Sequence, residues 1–537
     1  CSEADNCMGM NCPERERCFV LALRREAADA RILVVNHHLL FADLAARREG
    51  AGYDGTVVLP PYNRVIIDEA HTIEEAATSF FSREFSRLSV YRQLGRLYRK
   101  RGIARFGLLL RVLALLPAAY AASLFKDGND GGIPQDIEDL LTKIRDAADD
   151  LDQAALELCG AGGVFRLTPQ KDQAVRSVLL THFASLRKHI SSLGIFAGEM
   201  LEHLSVEAQE EASVWELKSV LRRLDAIGVV CTSFTEYAER PEEVMWIERR
   251  GGASGGADWA VFTATPVDVA PSLRESLFEP NKTVVCVSAT LTTDRSFDYW
   301  NSRSGLTLVK NKEILSGIFP SPFPYESSTL LAVPCDAPLP AEEGYGVFVD
   351  QAAAALAESS GGSALILFTS YQSLRSAWEE AKPRLEKQGI RVLKQGDDDR
   401  NRLLQAFLGD EKSVLFATDS FWEGVDAPGD TLRLVILCRL PFKSPSDPVF
   451  EARCEAVEKA GGSSFMELSL PDAVMKFKQG FGRLIRRSSD RGVVAVLDGR
   501  LLRKRYGEIF LKSLPETKTC FGDFKAVLRG TEDFLFP

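Results

Sequence analysis

Arg64-Val65-Ile66-Ile67-Asp68-Glu69-Ala70-His71 is a β-branched run that stops abruptly at two carboxylates and a histidine. An unbroken apolar run of this kind is the pattern of a strand buried on both faces of a parallel sheet, and ligands of such sheets sit beyond the carboxyl ends of the strands. The stretch predicts an α/β fold that delivers Asp68, Glu69 and His71 to the place where chemistry occurs.

Other apolar runs end the same way. Arg31-Ile32-Leu33-Val34-Val35 reads as a strand ending in Asn36-His37-His38. Neighbours on a strand point to opposite faces, so one metal shared by the two histidines is disfavoured and a structural pair is expected. Ala260 to Thr263 and Thr283 to Val287 read as strands, the latter ending in Ser288-Ala289-Thr290. After the proline-rich Phe319 to Pro324, strands at 364–368, 413–417, 434–437 and 493–497 alternate with helical stretches, the signature of a second parallel-sheet domain. Their ends carry Thr369 and Ser370, Thr418-Asp419-Ser420, and Trp422-Glu423-Gly424-Val425-Asp426. Before the last strand, Gln479, Arg483 and Arg486 lie four and three apart and are expected to share one helix face.

From about residue 80 to 240 the strand signal disappears. Ile137, Leu140, Leu141, Ile144, Ala148, Leu151, Ala155 and Leu158 repeat at three and four, with Pro134 suited to the first turn, and Val214, Trp215, Leu217, Val220, Leu221 and Leu224 repeat likewise. This is a helical insertion. Its glycine-rich breaks at 127–132 and 160–163 read as loops between helices.

Composition excludes several classes. No apolar run approaches the roughly 20 residues of a membrane span, and 537 residues suffice for about three or four domains. A net charge of −10 argues against coating nucleic acid by bulk electrostatics but leaves room for a local basic track. Two stretches qualify: Arg92, Arg96, Arg99, Lys100, Arg101 and Arg105, read as a solvated helix face, and Arg483 to Arg505. Of 11 cysteines, seven are scattered in mostly apolar contexts and resemble buried thiols of a reduced cytoplasmic protein. Cys7, Cys12 and Cys18 instead crowd a short polar segment in the spacing C-x4-C-x5-C, without the C-x2-C knuckle usual for structural zinc, so an iron–sulfur cluster is the better match. Zinc and unrelated free thiols are the alternatives. Cys1 is an available fourth ligand.

Asp-Glu-Ala-His after one strand, Ser-Ala-Thr after another and Gln-x-x-Gly-Arg-x-x-Arg near the end, in that order on two α/β domains, resemble superfamily 2 helicases. The cysteine segment and the long helical insertion narrow the resemblance to the XPD-like iron–sulfur helicases, and Asn36-His37-His38-Leu39-Leu40 with Phe421 to Asp426 is similar to the bacterial DinG/YoaA branch. The resemblance implies two RecA-like parallel-sheet motor domains, the first incomplete. The implied division is an iron–sulfur segment (1–28), the first motor domain in two parts (29–78 and 244–312), an arch-like helical insertion (79–243) and the second motor domain (313–537). It further implies ATP, Mg²⁺ and a 4Fe–4S cluster as cofactors. Asp68 would hold the magnesium through water, Glu69 would orient or deprotonate the attacking water, and His71 would couple the site to the second domain. Gln479 would stand near that water, with Arg483 and Arg486 as arginine fingers. Gly424 and Asp426 would touch nucleotide and DNA, Ser288 and Thr290 would couple the domains, Thr369 and Ser370 would contact backbone phosphate, and Cys7, Cys12 and Cys18 would ligate the cluster.

The expected function is that of an ATP-dependent 5′→3′ DNA helicase acting as a monomer on single-stranded and forked DNA in repair or replication, with replication or repair proteins as partners and no membrane. Two alternatives stand beside it: a nucleic-acid-stimulated ATPase that strips bound proteins without unwinding, and a non-catalytic DNA-binding module. The family's phosphate loop ends Gly-Lys-Thr or Gly-Lys-Ser, and this sequence has no Gly-Lys pair. With Cys at position 1 and the first methionine at Met8, the chain reads as a fragment expected neither to hydrolyse ATP nor to hold a full-strength cluster alone. By the same resemblance the first cluster ligand lies further upstream, which leaves Cys1 doubtful.

Overall fold

A computed structural model of the chain describes residues 12, 14–48, 52–53, 55–125, 132–160, 163–168, 170, 172–251, 257–418, 421 and 429–537. Cys1, Cys7, the 422–426 stretch with Gly424 and Asp426, and parts of the breaks at 127–132 and 160–163 lie outside the described residues. In chain order the strands are β1 (Arg64–Ile67), β2 (Arg83–Ser86), β3 (Arg99–Arg101), β4 (Ala104–Phe106), β5 (Val164–Arg166), β6 (Glu243–Arg250), β7 (Trp259–Pro266) and β8 (Thr283–Cys286). They continue with β9 (Thr329–Pro334), β10 (Ala364–Leu367), β11 (Arg391–Lys394), β12 (Ser413–Ala417), β13 (Leu434–Leu437), β14 (Gly492–Val496) and β15 (Lys518–Gly522). The chain divides into two compact units, Cys1–Arg64 with Ile73–Thr283, and Val65–Thr72 with Val284–Pro537.

The second unit holds a seven-stranded, wholly parallel sheet in the order β11-β12-β10-β13-β14-β9-β15. Its central strands are buried along their entire length, which is why continuous apolar runs marked them. Alternate residues serve two separate cores: Leu331 and Val333 enter one layer with Phe477 and Phe510, while Leu330 and Ala332 enter the other with Leu374 and Phe534. Each fully buried side chain of this size contributes about 1.5–3 kcal/mol relative to exposure.

The two-stranded sheet β1-β8 belongs almost wholly to this unit. Its opening strand departs from expectation. Ile67 is buried, but Val65 is only half-buried and Ile66 is 75% exposed. Among the described residues β1 pairs with β8 alone, so one edge and one face have no covering layer.

The first unit is built around helices Gln135–Cys159, Leu180–Glu202 and Ala212–Thr235. Pro134 is the N-cap of the first of these, and six of the eight residues of the expected apolar repeat are buried, with Leu140 and Leu158 half-buried. The helices pack on an antiparallel sheet, β2-β7-β6-β5, that the sequence did not announce. Strands therefore do exist between residues 80 and 240. They are three or four residues long, too short for a period of two to register, and β7 belongs to this sheet. Phe262 of β7 meets Phe183 at 5.3 Å and Phe234 at 5.9 Å, both edge to face, tying sheet to helices.

Two further expectations are corrected. Residues 31–35 form no strand: Ile32 is 84% and Val34 95% exposed, and β-branched residues without a pairing partner have only a weak preference to satisfy. Asn36 instead caps the helix His37–Ala46, its side chain accepting from the Leu39 amide at 2.8 Å. His37 and His38 thus stand about 100° apart on a helix rather than on opposite faces of a strand. The first basic stretch is also not one helix face. The helix Arg87–Leu97 stops, and Arg99 onward folds as the hairpin β3-β4. Among the described residues no helix is long and apolar enough to cross a membrane.

Candidate active site

Backbone bonds hold two strand ends side by side. The Val287 amide donates to the Ile67 carbonyl at 2.9 Å, and the Ala70 amide returns a bond to the Val287 carbonyl at 3.0 Å. Side chains from both ends then meet. Ser288 Oγ lies 2.8 Å from His71 Nδ1, 3.3 Å from Glu69 Oε2 and 3.4 Å from Thr290 Oγ1, and accepts from the Thr290 amide at 3.2 Å. With its hydroxyl donating to Glu69, the Ser288 oxygen accepts from His71 Nδ1–H, and the three side chains form one directed chain. Nδ1 of His71 also stands 3.3 Å from Glu69 Oε2, with the ring 9% and the carboxylate 64% exposed. A covered imidazole braces an open carboxylate.

The turn itself is unusual. Glu69 has φ +48°, a left-handed conformation that costs a residue with a side chain of order 1–3 kcal/mol and persists only where its surroundings enforce it. Here Asp68 Oδ1 accepts from the Glu69 amide at 2.9 Å, the Thr72 amide and hydroxyl donate to the Glu69 carbonyl at 3.0 and 2.9 Å, and the Trp300 indole donates to the Ala70 carbonyl at 3.0 Å. Asp68 and Glu69 both remain exposed. Magnesium keeps several waters and takes one or two carboxylates alongside substrate phosphates, and this open donor set fits it.

Gln479 lies on the helix Leu470–Gly482 and Arg483 is its C-cap. Arg486 is not on their face, because the helix has ended and the chain has entered a loop. That loop is organised by the buried Asp490, whose Oδ2 accepts from the amides of Arg486 and Arg487 at 2.8 and 2.7 Å and whose Oδ1 accepts from the Gly429 amide at 3.2 Å. The Gln479 Oε1 is buried without a hydrogen-bond partner among the described residues. One residue earlier, Lys478 Nζ donates to the Thr292 carbonyl at 3.0 Å. Burial holds its pKa below the ordinary lysine value. This bond joins the helix that carries Gln479 to the segment that carries Ser288 and Thr290.

The structure thus gathers Asp68, Glu69, His71, Ser288 and Thr290 into one cluster and sets Gln479, Arg483 and Arg486 along a helix end and its following loop. Ser370 caps the helix Tyr371–Lys387, its Oγ accepting from the Ser373 amide at 3.2 Å. Trp300, Lys478, Thr292 and Asp490 were not singled out from sequence. Only Asp490, one of two acids inside the arginine run, left a visible signal. Three cations of that run are engaged internally: Arg500 with Asp498, Arg503 with Glu342, Arg491 over the Phe534 ring. Cys12 and Cys18 are free, half-buried thiols on either side of the short helix Arg15–Arg17. Among the described residues no group of His, Cys, Asp and Glu forms a metal centre.

Known proteins are similar to this chain. The family Helicase C-terminal domain matches residues 353–517. The ATP-dependent DNA helicase YoaA of Escherichia coli (strain K12) is 32% identical over 515 residues, covering 96% of this chain and 71% of that protein. The ATP-dependent helicase DinG of Mycobacterium tuberculosis (strain ATCC 25618 / H37Rv) is 32% identical over 516 residues, covering 95% of this chain and 68% of that protein. The protein named 3′-5′ exonuclease DinG of Bacillus subtilis (strain 168) is 28% identical over 535 residues, and this chain, 94% covered, spans 53% of it.

Proposed function

Because this chain belongs to the DinG/YoaA family of ATP-dependent DNA helicases, XPD-like members of superfamily 2, we propose that it tracks 5′→3′ along single-stranded DNA and unwinds duplex or forked DNA during repair or replication. The observation that carries this reading is the chain of contacts from His71 through Ser288 to Glu69.

Phosphoryl transfer asks a protein mainly to position groups and stabilise charge. Asp68 is the magnesium anchor, and the ion when bound neutralises charge across the terminal phosphates. Glu69, pinned by Ser288, orients the attacking water and receives its proton. The position of Glu69 follows Ser288, so any shift of the Ser288-Ala289-Thr290 segment is felt at the base, and Lys478 links that segment to the arginine-bearing helix. Arg483 and Arg486 offer planar forks to phosphate oxygens, with Gln479 beside the water. Gly424 and Asp426 contact nucleotide and DNA as the domains close, and Thr369 and Ser370 take the phosphate backbone. Cys7, Cys12 and Cys18 ligate a 4Fe–4S cluster. The two described thiols suit it by being unbonded and reachable.

Strand displacement by the full-length gene product tests the proposal. ATP-driven release from a duplex with a 5′ single-stranded tail, absent with a 3′ tail, is the expected result, and Glu69→Gln should abolish it while leaving single-strand binding intact. Displacement from the 3′-tailed substrate alone, or ATP hydrolysis that strips bound protein without unwinding, overturns it. A brown protein with broad visible absorbance, lost when Cys12 and Cys18 are replaced, is expected of the cluster, whereas a colourless zinc protein counts against it.

A further inference from the structure

The hairpin β3-β4 has an architecture that folding alone does not explain. Its strands are three residues each, and a lone two-stranded hairpin is marginal in water. Residues 99–106 carry four cations and no acid within a chain of net charge −10. Lys100 faces Arg105 directly across the ladder, a like-charge pair that weakens it. Gly102 at φ +61°, followed by Ile103 at negative φ, makes a tight two-residue turn, and at its tip Ile103 is 101% exposed. No other described large apolar side chain is as exposed.

The hairpin is nevertheless firmly rooted. Leu97, Tyr98 and Leu108 at its base are buried in the first unit's core. Gly107 closes the base at φ +140°, where a Cβ would stand 2.2 Å from the Leu97 carbonyl oxygen. Lys100 is held by Glu138 on the helix Gln135–Cys159, and Arg99 lies over the Phe106 ring at 5.7 Å. Arg101 has no ion-pair partner among the described residues. An apolar tip on a rigid cationic stem is suited to a polyanion whose stacked interior can be opened: cations take phosphates, and apolar wedges insert at base steps.

We propose that the β3-β4 hairpin is a DNA-junction contact, with Arg99 and Arg101 on backbone phosphates and Ile103 against the last base pair where duplex gives way to single strands. This rests on the helicase reading and adds a surface to it. An acidic protein segment would satisfy the arginines equally but gives Ile103 nothing to enter.

The test needs no ATP turnover. Anisotropy titrations of the chain with forked DNA and with the single strand alone, across a salt series, should give a steeper salt dependence and higher affinity for the fork. Arg99→Ala with Arg101→Ala should lower the log–log salt slope for the fork by about 2, one for each phosphate that the arginines no longer neutralise. Ile103→Ser should leave single-strand affinity and slope unchanged while abolishing the rise in 2-aminopurine fluorescence at the junction. A photocrosslinking residue at position 103 should label the junction nucleotides, independently of those variants.

An unchanged slope in the double variant, an unchanged junction signal in Ile103→Ser, or crosslinks confined to the single-stranded tail overturns the inference. So does a polyglutamate probe that binds the hairpin while the variants keep wild-type fork binding, which assigns the surface to acidic proteins. If the wild-type chain binds neither DNA, the DNA reading falls together with the hairpin's role. If it binds both and only the hairpin variants are silent, the inference alone fails.

Discussion

The indole of Trp300 donates its N–H to the carbonyl of Ala70 at 3.0 Å, clamping the centre of the Asp68-Glu69-Ala70-His71 turn from a helix 230 residues away. Trp300 is 5% exposed, so the bond is sheltered from competing water. Trp300→Phe keeps most of the packing and removes the donor, leaving a carbonyl unsatisfied at a cost of about 1–3 kcal/mol. Urea denaturation should show that loss. In the full-length gene product, turnover should fall with KM for ATP unchanged, because Glu69 is then no longer held in its left-handed conformation. A variant with wild-type stability and turnover would show that the bond does not matter.

Asp490 gathers the amides of Arg486, Arg487 and Gly429. Asp490→Ala should loosen the loop that carries Arg486 and, in the full-length gene product, reduce ATP turnover by roughly 10²-fold, the scale of a misplacement of about 1 Å. Single-strand affinity should stay within about twofold. Asp490→Asn retains one acceptor oxygen and should recover part of the rate. Equal rates for the Ala and Asn variants would refute this positioning role.

Arg47 is buried and reaches the Asp43 carboxylate at 2.5 Å and the carbonyls of Tyr53, Gly55 and Leu59 at 3.0 to 3.1 Å. Arg47→Met leaves Asp43 as an uncompensated buried charge and should cost about 3–5 kcal/mol. Limited proteolysis should then cut within 55–60, where the parent is expected to stay intact. Arg47→Lys should not rescue it, since one ammonium cannot span so many acceptors.

Asp152 is buried, its carboxyl pKa raised chiefly by desolvation and held back by the Ala260 amide at 2.8 Å and by Arg87. A raised carboxyl binds its proton more tightly when folded than when unfolded. Its contribution therefore favours folding below the ordinary carboxyl range and is lost as pH rises through the folded value. Denaturation midpoints from acid to neutral pH should fall less steeply in Asp152→Asn, which still accepts from Ala260. Parallel curves for the two proteins would contradict the raised value.

Gly107→Ala should destabilise the first unit by at least about 2 kcal/mol, since both the positive φ and the approach to the Leu97 carbonyl exclude a Cβ. Gly102→Ala, at the hairpin's open tip with nothing within 4 Å, should cost clearly less in the same melting experiment.

Four of the five inner strands of the second unit were legible because burial on both faces forces unbroken apolar composition, as in Leu434-Val435-Ile436-Leu437; the fifth, β9, is buried as fully but was not singled out. The edge strands Arg391–Lys394 and Lys518–Gly522 were not, since an edge has only one covered side and tolerates lysine and arginine. The run Ile32 to Val35 shows the converse failure: an apolar, mostly β-branched string without a neighbour to pair with is no strand.

Local sequence determined the motifs and their order, namely acids after one apolar run, hydroxyls after another, and a glutamine with two arginines at the end of a helix. These are short-range patterns of turn, cap and strand chemistry. Only the tertiary structure decided that Ser288 sits between His71 and Glu69, 217 residues from the histidine, and that Trp300, Lys478 and Asp490 hold those groups in place. A hydrogen bond between distant side chains leaves no periodicity in the chain; it exists because parallel strand pairing and packing bring the two ends together. The basic stretch at Arg99 divides the same way: its charge is written in the residues, while its projection as a rooted hairpin comes from Gly107 meeting Leu97 in three dimensions.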